Sequence, residues 1–172
     1  MGKKIWRKFS KEVFSPNKKR EFLECAKKAA EKGRYITAGY IAVMAGAKKE
    51  ALKYARKLAE EERDYYKAGM IAAMIGAKKE ALEYARKKAK KGEYEIAGKI
   101  AAMVGAKEEA LKYAKKLAKK REYYEAGMIA AVVGAKEEAL KYAKKLVEEG
   151  RRGGVIEILK VAEVYEKRGK KK

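Results

Sequence analysis

The chain has 172 residues, with 46 Lys and Arg against 24 Asp and Glu, giving a net charge of +22. Its 48% hydrophobic share is that of a globular chain, and its length suits one domain better than two. With no His and one cysteine, Cys25, it offers no imidazole base, no Cys/His metal cluster and no intramolecular disulfide.

The charge is carried by Lys, Glu and Arg. Gln is absent, and Asp64, Asn17 and Thr37 are each the single residue of their type. That Lys/Glu enrichment with few amides is a hyperthermophile signature. Designed repeat arrays share it, but these repeats differ at core positions without pattern, which favours a natural origin. Residues 1–20 carry eight cations against Glu12, and residues 151–172 carry eight against three glutamates, so the ends are more basic per residue than the middle. Such a balance suits an acidic partner: nucleic acid, anionic lipid or an acidic protein. The longest charge-free run falls short of the about 20 apolar residues a membrane span needs. The N-terminus lacks a secretory apolar core, and a cytoplasmic protein is expected.

In chain order, Ile5, Trp6, Phe9, Val13 and Phe14 predict a short N-terminal helix within a basic segment, 1–14. Its mix of bulky apolar and basic residues also suits a membrane surface. Ser15 as N-cap and Pro16 at the first helical position then open a helix through "FLECAKKAAEKG". Repeats fill residues 15–150. Gly46, Gly76, Gly105 and Gly134 each stand in "G-A-K-[KE]-E-A-L", spaced 30, 29 and 29 residues apart. Seven residues before each comes an Ala-Gly pair (Gly39, Gly69, Gly98, Gly127), and eight after comes a tyrosine (Tyr54, Tyr84, Tyr113, Tyr142).

Each unit predicts two short helices. Helix A, as in "YYKAGMIAAMIG", ends at the turn glycine as its C′ residue. Helix B, as in "KKEALEYARKKAKK", shows an apolar stripe of Ala81, Leu82, Ala85 and Ala89 and ends at Gly92 or at a polar run such as "EEERD". Past residue 150, "VIEILKVAEVYEKRG" replaces the next helix A. Its larger Ile156, Leu159, Ala162 and Val164 predict a cap over the last repeat interface, followed by a basic tail.

Two helices per unit, an aromatic opening helix A (Tyr35, Tyr65, Tyr94, Tyr123), the Ala-Gly pair, a turn glycine and the helix B alanine (Ala51, Ala81, Ala110, Ala139) resemble the tetratricopeptide repeat over about residues 22–150. The units are four or five residues shorter than that family's 34, lack its loop proline, and have Ala55, Ala85, Ala114 and Ala143 where its helix B aromatic stands. The resemblance implies one all-α, right-handed solenoid of stacked antiparallel helix pairs that serves as a scaffold for protein–protein contact. It also implies that Ile36 and Tyr40, Tyr66 and Met70, Glu95 and Lys99, and Tyr124 and Met128 point into a concave groove. Each pair is spaced i, i+4 and shares a helix face. Tyr and Met are suited to holding a partner segment, and Glu95 with Lys99 is placed for a salt bridge. Either these side chains floor a groove or they close the packing between neighbouring helices.

A second candidate is a basic ladder on helix B: Lys27-Lys28, Arg56-Lys57, Arg86-Lys87, Lys115-Lys116 and Lys144-Lys145. Beside Tyr54, Tyr84, Tyr113 and Tyr142 it could track a phosphate backbone and stack on bases; the alternative is a solvated convex face. Catalysis is not expected, no cofactor or metal is implied, and Cys25 reads as a passive substitution at the repeat's tyrosine position. The sequence therefore predicts an interaction scaffold, with sequence-independent nucleic-acid binding through the ladder and the basic ends as the other reading.

Overall fold

A computed structural model describes residues 15–169, with side chains through Tyr165; the N-terminal segment 1–14 and residues 170–172 lie outside the described residues. Ten α-helices follow one another there: α1 (Pro16–Glu31), α2 (Tyr35–Met44), α3 (Lys48–Glu60), α4 (Tyr65–Met74), α5 (Lys78–Lys90), α6 (Tyr94–Met103), α7 (Lys107–Lys119), α8 (Tyr123–Val132), α9 (Lys136–Glu148) and α10 (Val155–Gly169). No strand occurs among the described residues. The fold is an all-α repeat array with neighbouring helices packed in pairs. It forms two compact units, the first ending at Tyr84 and the second beginning at Ala85, so the division falls inside α5.

The start of α1 follows from its cap. Ser15 Oγ accepts from the Lys18 N–H at 3.4 Å, and Pro16 supplies the first helical residue. Every helix A stops at the glycine the repeat supplies. Gly46, Gly76, Gly105 and Gly134 have φ of +67, +76, +67 and +68°, a region that costs an L-residue with a side chain roughly 1–2 kcal/mol. In α4 the Gly76 N–H bonds Ala73 O at 3.0 Å and the Ala77 N–H bonds Ala72 O at 2.9 Å, which closes the helix end in a Schellman motif. The same pair of bonds recurs at the other three glycines.

The turn after helix B also passes through the left-handed region: at Gly33, Gly92 and Gly150 after three of these helices, but at Arg63 (φ +54°) and Arg121 (φ +64°) after two others. The 30-residue spacing is explained here. The closing bond spans five residues at Glu93 N–H to Lys88 O and at Glu122 N–H to Leu117 O, but six at Asp64 N–H to Leu58 O. The extra residue between α3 and α4 is thus absorbed by a wider turn. Asp64 then caps α4 by accepting from the Lys67 N–H at 3.0 Å.

In the first unit α2 packs on α1, α3 and α4, and α3 packs on α4. In the second, α8 packs on α6, α7, α9 and α10, α6 on α7, and α9 on α10. Most core residues are alanines, which let helix axes approach closely; the largest wholly buried side chains are Leu58, Ile71, Ile100, Leu117, Leu146 and Ile158. Burying each of these contributes about 1.5–3 kcal/mol.

Glycine in a helix interior is costly, and here packing requires it. A side-chain carbon on Gly39 of α2 would stand 2.5 Å from Ile71 Cδ1 of α4, and one on Gly127 of α8 would stand 2.7 Å from Ile158 Cδ1 of α10; Gly98 of α6 receives Ile129 of α8 in the same way. Within each unit the later helix A thus drops an isoleucine into the notch of the helix A before it: α4 into α2, α8 into α6 and α10 into α8. Ile158 shows that α10 keeps this position. Of the residues expected to form a C-terminal cap, Ala162 is buried together with Ile158, whereas Ile156, Leu159 and Val164 are exposed.

Two apolar positions expected in helix B are reassigned. Leu82 and Ala89 are only half-buried, and the buried stripe of α3 is Ala51, Tyr54, Ala55 and Leu58, the i, i+3, i+4, i+7 pattern. Its equivalents in the other units, Tyr84, Tyr113 and Tyr142, are likewise core residues.

Candidate interaction surfaces

Helix A carries the first candidate surface because it is ten residues long and largely apolar, and in α2 and α4 much of what the stack leaves uncovered is apolar. In the first unit Ile36 and Tyr40 lie on α2, and Tyr66 and Met70 occupy the same repeat positions on its packed neighbour α4. All four are half-buried. Lys67 Nζ lies 5.4 Å from the Tyr66 ring centroid, near enough for a cation–π contact. Tyr66 therefore presents a polarised ring beside a cation, next to a flexible thioether.

The second unit treats the same positions differently. On α6, Lys99 Nζ donates to Glu95 Oε1, so this pair forms the expected salt bridge and is polar. On α8, Met128 is half-buried. Tyr124 departs from the expectation of an open groove residue. Its hydroxyl donates to Glu157 Oε2 at 2.6 Å, and its ring lies against Gly154, where any side chain would collide with it. The bond to the Glu157 carboxylate, helped by partial burial, pushes the Tyr124 phenol above its ordinary value. Tyr124 is thus occupied in seating α10, which repeat spacing alone could not reveal because α10 is no copy of the repeat.

The basic ladder divides into two kinds of position. Lys57, Lys87 and Lys116 are half-buried. Lys57 Nζ lies 4.9 Å from the Tyr35 ring centroid and 2.8 Å from Glu61 Oε1, and these partners push its pKa up, the Glu61 hydrogen bond most. Lys116 Nζ sits 4.7 Å from the Tyr94 ring centroid. Lys57 and Lys116 thus tie helix B to the opening tyrosine of helix A in the same repeat.

The other positions, Lys27, Lys28, Arg56, Arg86, Lys115, Lys144 and with them Lys145, are exposed. Several are paired: Lys27 with Glu24 at 3.0 Å, Lys145 with Glu148 at 2.7 Å, and Arg56 with Glu80 at 3.8 Å. Arg86 grips Glu109 with both ends of its fork, Nε to Oε1 at 3.0 Å and Nη2 to Oε2 at 3.1 Å. Arg56–Glu80 and Arg86–Glu109 each join a helix B to the next helix B.

The tyrosines expected to stack on bases cannot do so. Tyr54, Tyr84, Tyr113 and Tyr142 are 4 to 6% exposed. Tyr65 stacks on Tyr84 with ring centroids 6.4 Å apart, and Tyr113 donates to Glu109 Oε1 at 2.9 Å. Burial, then that hydrogen bond to a carboxylate, pushes the Tyr113 phenol up to about 12. Burial opposes ionisation of Glu109, but the Arg86 and Tyr113 hydrogen bonds outweigh it and hold its carboxyl below the ordinary range.

Cys25, on α1, is exposed. Among the described residues no group of His, Cys, Asp or Glu is placed to hold a metal ion, and no helix is long and apolar enough to cross a membrane. Compared with protein-family models, curated proteins and solved structures, the chain gives no match.

Proposed function

We propose that the protein is a non-catalytic interaction scaffold, a short-repeat relative in architecture of the tetratricopeptide-type solenoids, that binds a protein segment on the helix A face of its first unit. The observation that carries this reading is the half-burial of Ile36, Tyr40, Tyr66 and Met70 at equivalent positions of two packed helices. Such side chains are held by their own stack yet keep apolar area for a partner. An amphipathic helix or extended strand with apolar side chains at alternating turns fits them, and acidic flanks would be drawn by the chain's +22 charge. The test is to replace Tyr66 and Met70 by Ala and measure binding of peptides selected on the wild-type chain. The reading requires binding to fall by roughly tenfold or more with the helical spectrum unchanged; unchanged affinity refutes it.

A second reading, contact with a nucleic-acid backbone through the ladder and the basic ends of the chain, draws within the ladder on the exposed Lys28, Lys115 and Lys144, since the tyrosines are core and the other ladder cations are paired or half-buried. It demands affinity that falls steeply with salt and is lost when these three become Glu.

A further inference from the structure

Five large apolar side chains are left exposed on the last two helices: Leu140 (43%) and Val147 (48%) on α9, and Ile156 (66%), Leu159 (39%) and Val164 (46%) on α10. Repeat position explains them. Leu52, Leu82 and Leu111 hold the place of Leu140 in earlier units and are half-buried, and the positions of Ile156 and Leu159 are occupied in α8 by the buried Gly127 and Ala130. The exposed face is the one on which a further helix pair would stack.

The first described helix offers a matching half. α1 is a helix B: Cys25 holds the place of Tyr54 but is exposed where Tyr54 is buried, and Glu21 holds the place of Glu80 and Glu109. We propose that the protein associates with itself head to tail, α1 of a second copy lying beside α9 and pairing with α10 so that a helix B and a helix A complete one unit in trans. Lys144, at the ladder position of Arg56 and Arg86, then meets Glu21 of the second copy. This continues the pairing that Arg56–Glu80 and Arg86–Glu109 make within the chain.

One position sets the strength of this contact. Ile156 stands where Gly39, Gly98 and Gly127 form notches, and the half-buried Ile41 stands where Ile71, Ile129 and Ile158 fill them. The copies therefore meet isoleucine on isoleucine, at a wider spacing than inside the array, and the association is weak and reversible. A charge of +22 on each copy opposes it further, so salt strengthens it.

The experiment is sedimentation and light scattering of the nuclease-treated full chain up to about 1 mM. The average mass should rise continuously with concentration, and more steeply at high salt. Glu21→Lys and Lys144→Glu should each weaken association by about fivefold, and the double swap should restore it. Ile156→Gly should tighten it by reopening the notch, whereas loss of an exposed isoleucine would weaken any unspecific apolar contact. A single-chain mass at every concentration, growth that stops at two copies, charge swaps without rescue, or loss of association in Ile156→Gly would each overturn the proposal.

Discussion

Ile71 of α4 fills the space above Gly39 of α2, its Cδ1 2.5 Å from where a side-chain carbon on that glycine would stand. The same lock recurs as Ile129 on Gly98 and Ile158 on Gly127, and it makes the glycine of each Ala-Gly pair a packing requirement rather than a hinge. Gly39→Ala improves helix propensity by up to about 1 kcal/mol. Ile71 is wholly buried and β-branched, so its Cδ1 has little room to swing aside; the clash costs more than that gain, and we expect a net loss of about 1–2 kcal/mol. Ile71→Val removes Cδ1 and alone costs about 0.5–1.5 kcal/mol. In the double variant the two losses should not add. Urea unfolding should show a favourable coupling of about 1 kcal/mol, and simple additivity would mean that the notch is not where the strain falls.

Arg63 and Arg121 occupy left-handed turn positions that Gly33 and Gly92 fill elsewhere. Arg63→Gly should stabilise the protein by roughly 0.5–1 kcal/mol, the relief of backbone strain exceeding the extra freedom of the unfolded chain. Arg121→Gly should give less, because Arg121 also donates from Nε to Glu149 Oε1 at 2.8 Å. Thermal unfolding of the two variants side by side checks the ordering.

Alkaline pH should unfold the chain through its buried tyrosines. Burial raises the phenols of Tyr54, Tyr84, Tyr113 and Tyr142, with Tyr113 pushed up to about 12. A group whose pKa is raised by folding stabilises the fold fully below its unfolded value, about 10 for tyrosine, and loses that contribution as pH climbs toward the folded value. Spectrophotometric titration should show Tyr54, Tyr84, Tyr113 and Tyr142 ionising above the ordinary tyrosine value, together with loss of helix. Tyr113→Phe should change that late step. Ionisation of all four with the helix intact would contradict the burial described.

Glu109 works in the opposite direction. Its carboxyl is held low by Arg86 and Tyr113 against its own burial, so its contribution is present above the ordinary carboxylate value and fades as pH falls below about 4. Glu109→Gln should flatten stability between about pH 5 and 3 relative to wild type, and an unchanged acid limb would show that the Arg86 grip adds nothing.

Much of this architecture is legible because the turns repeat. Gly46, Gly76, Gly105 and Gly134 mark positions that need a positive φ, and Ser15 with Pro16 marks a helix start. What escapes the sequence has physical reasons. Arg63 and Arg121 adopt the same turn without glycine, and nothing local announces it. Tyr and Leu compete for the inner stripe of helix B, and spacing alone does not reveal that Tyr84 wins over Leu82. Helix A is apolar over most of its circumference, so its periodicity does not say which face stays open. The groove positions came from resemblance, and Tyr124 shows the limit of that transfer: it is claimed by Gly154 and Glu157, residues outside the repeat.

The most direct test of the proposed scaffold uses the methyl signals of the chain's six methionines while a peptide selected on the wild-type protein is added. Met70, one turn from Tyr66 on α4 and equivalent to Tyr40 of the packed α2, should shift first and saturate with the peptide, while the exposed Met103 of the second unit stays in place. Binding that leaves Met70 unmoved, or that vanishes when Lys28, Lys115 and Lys144 become Glu while Tyr66→Ala is without effect, would contradict the account.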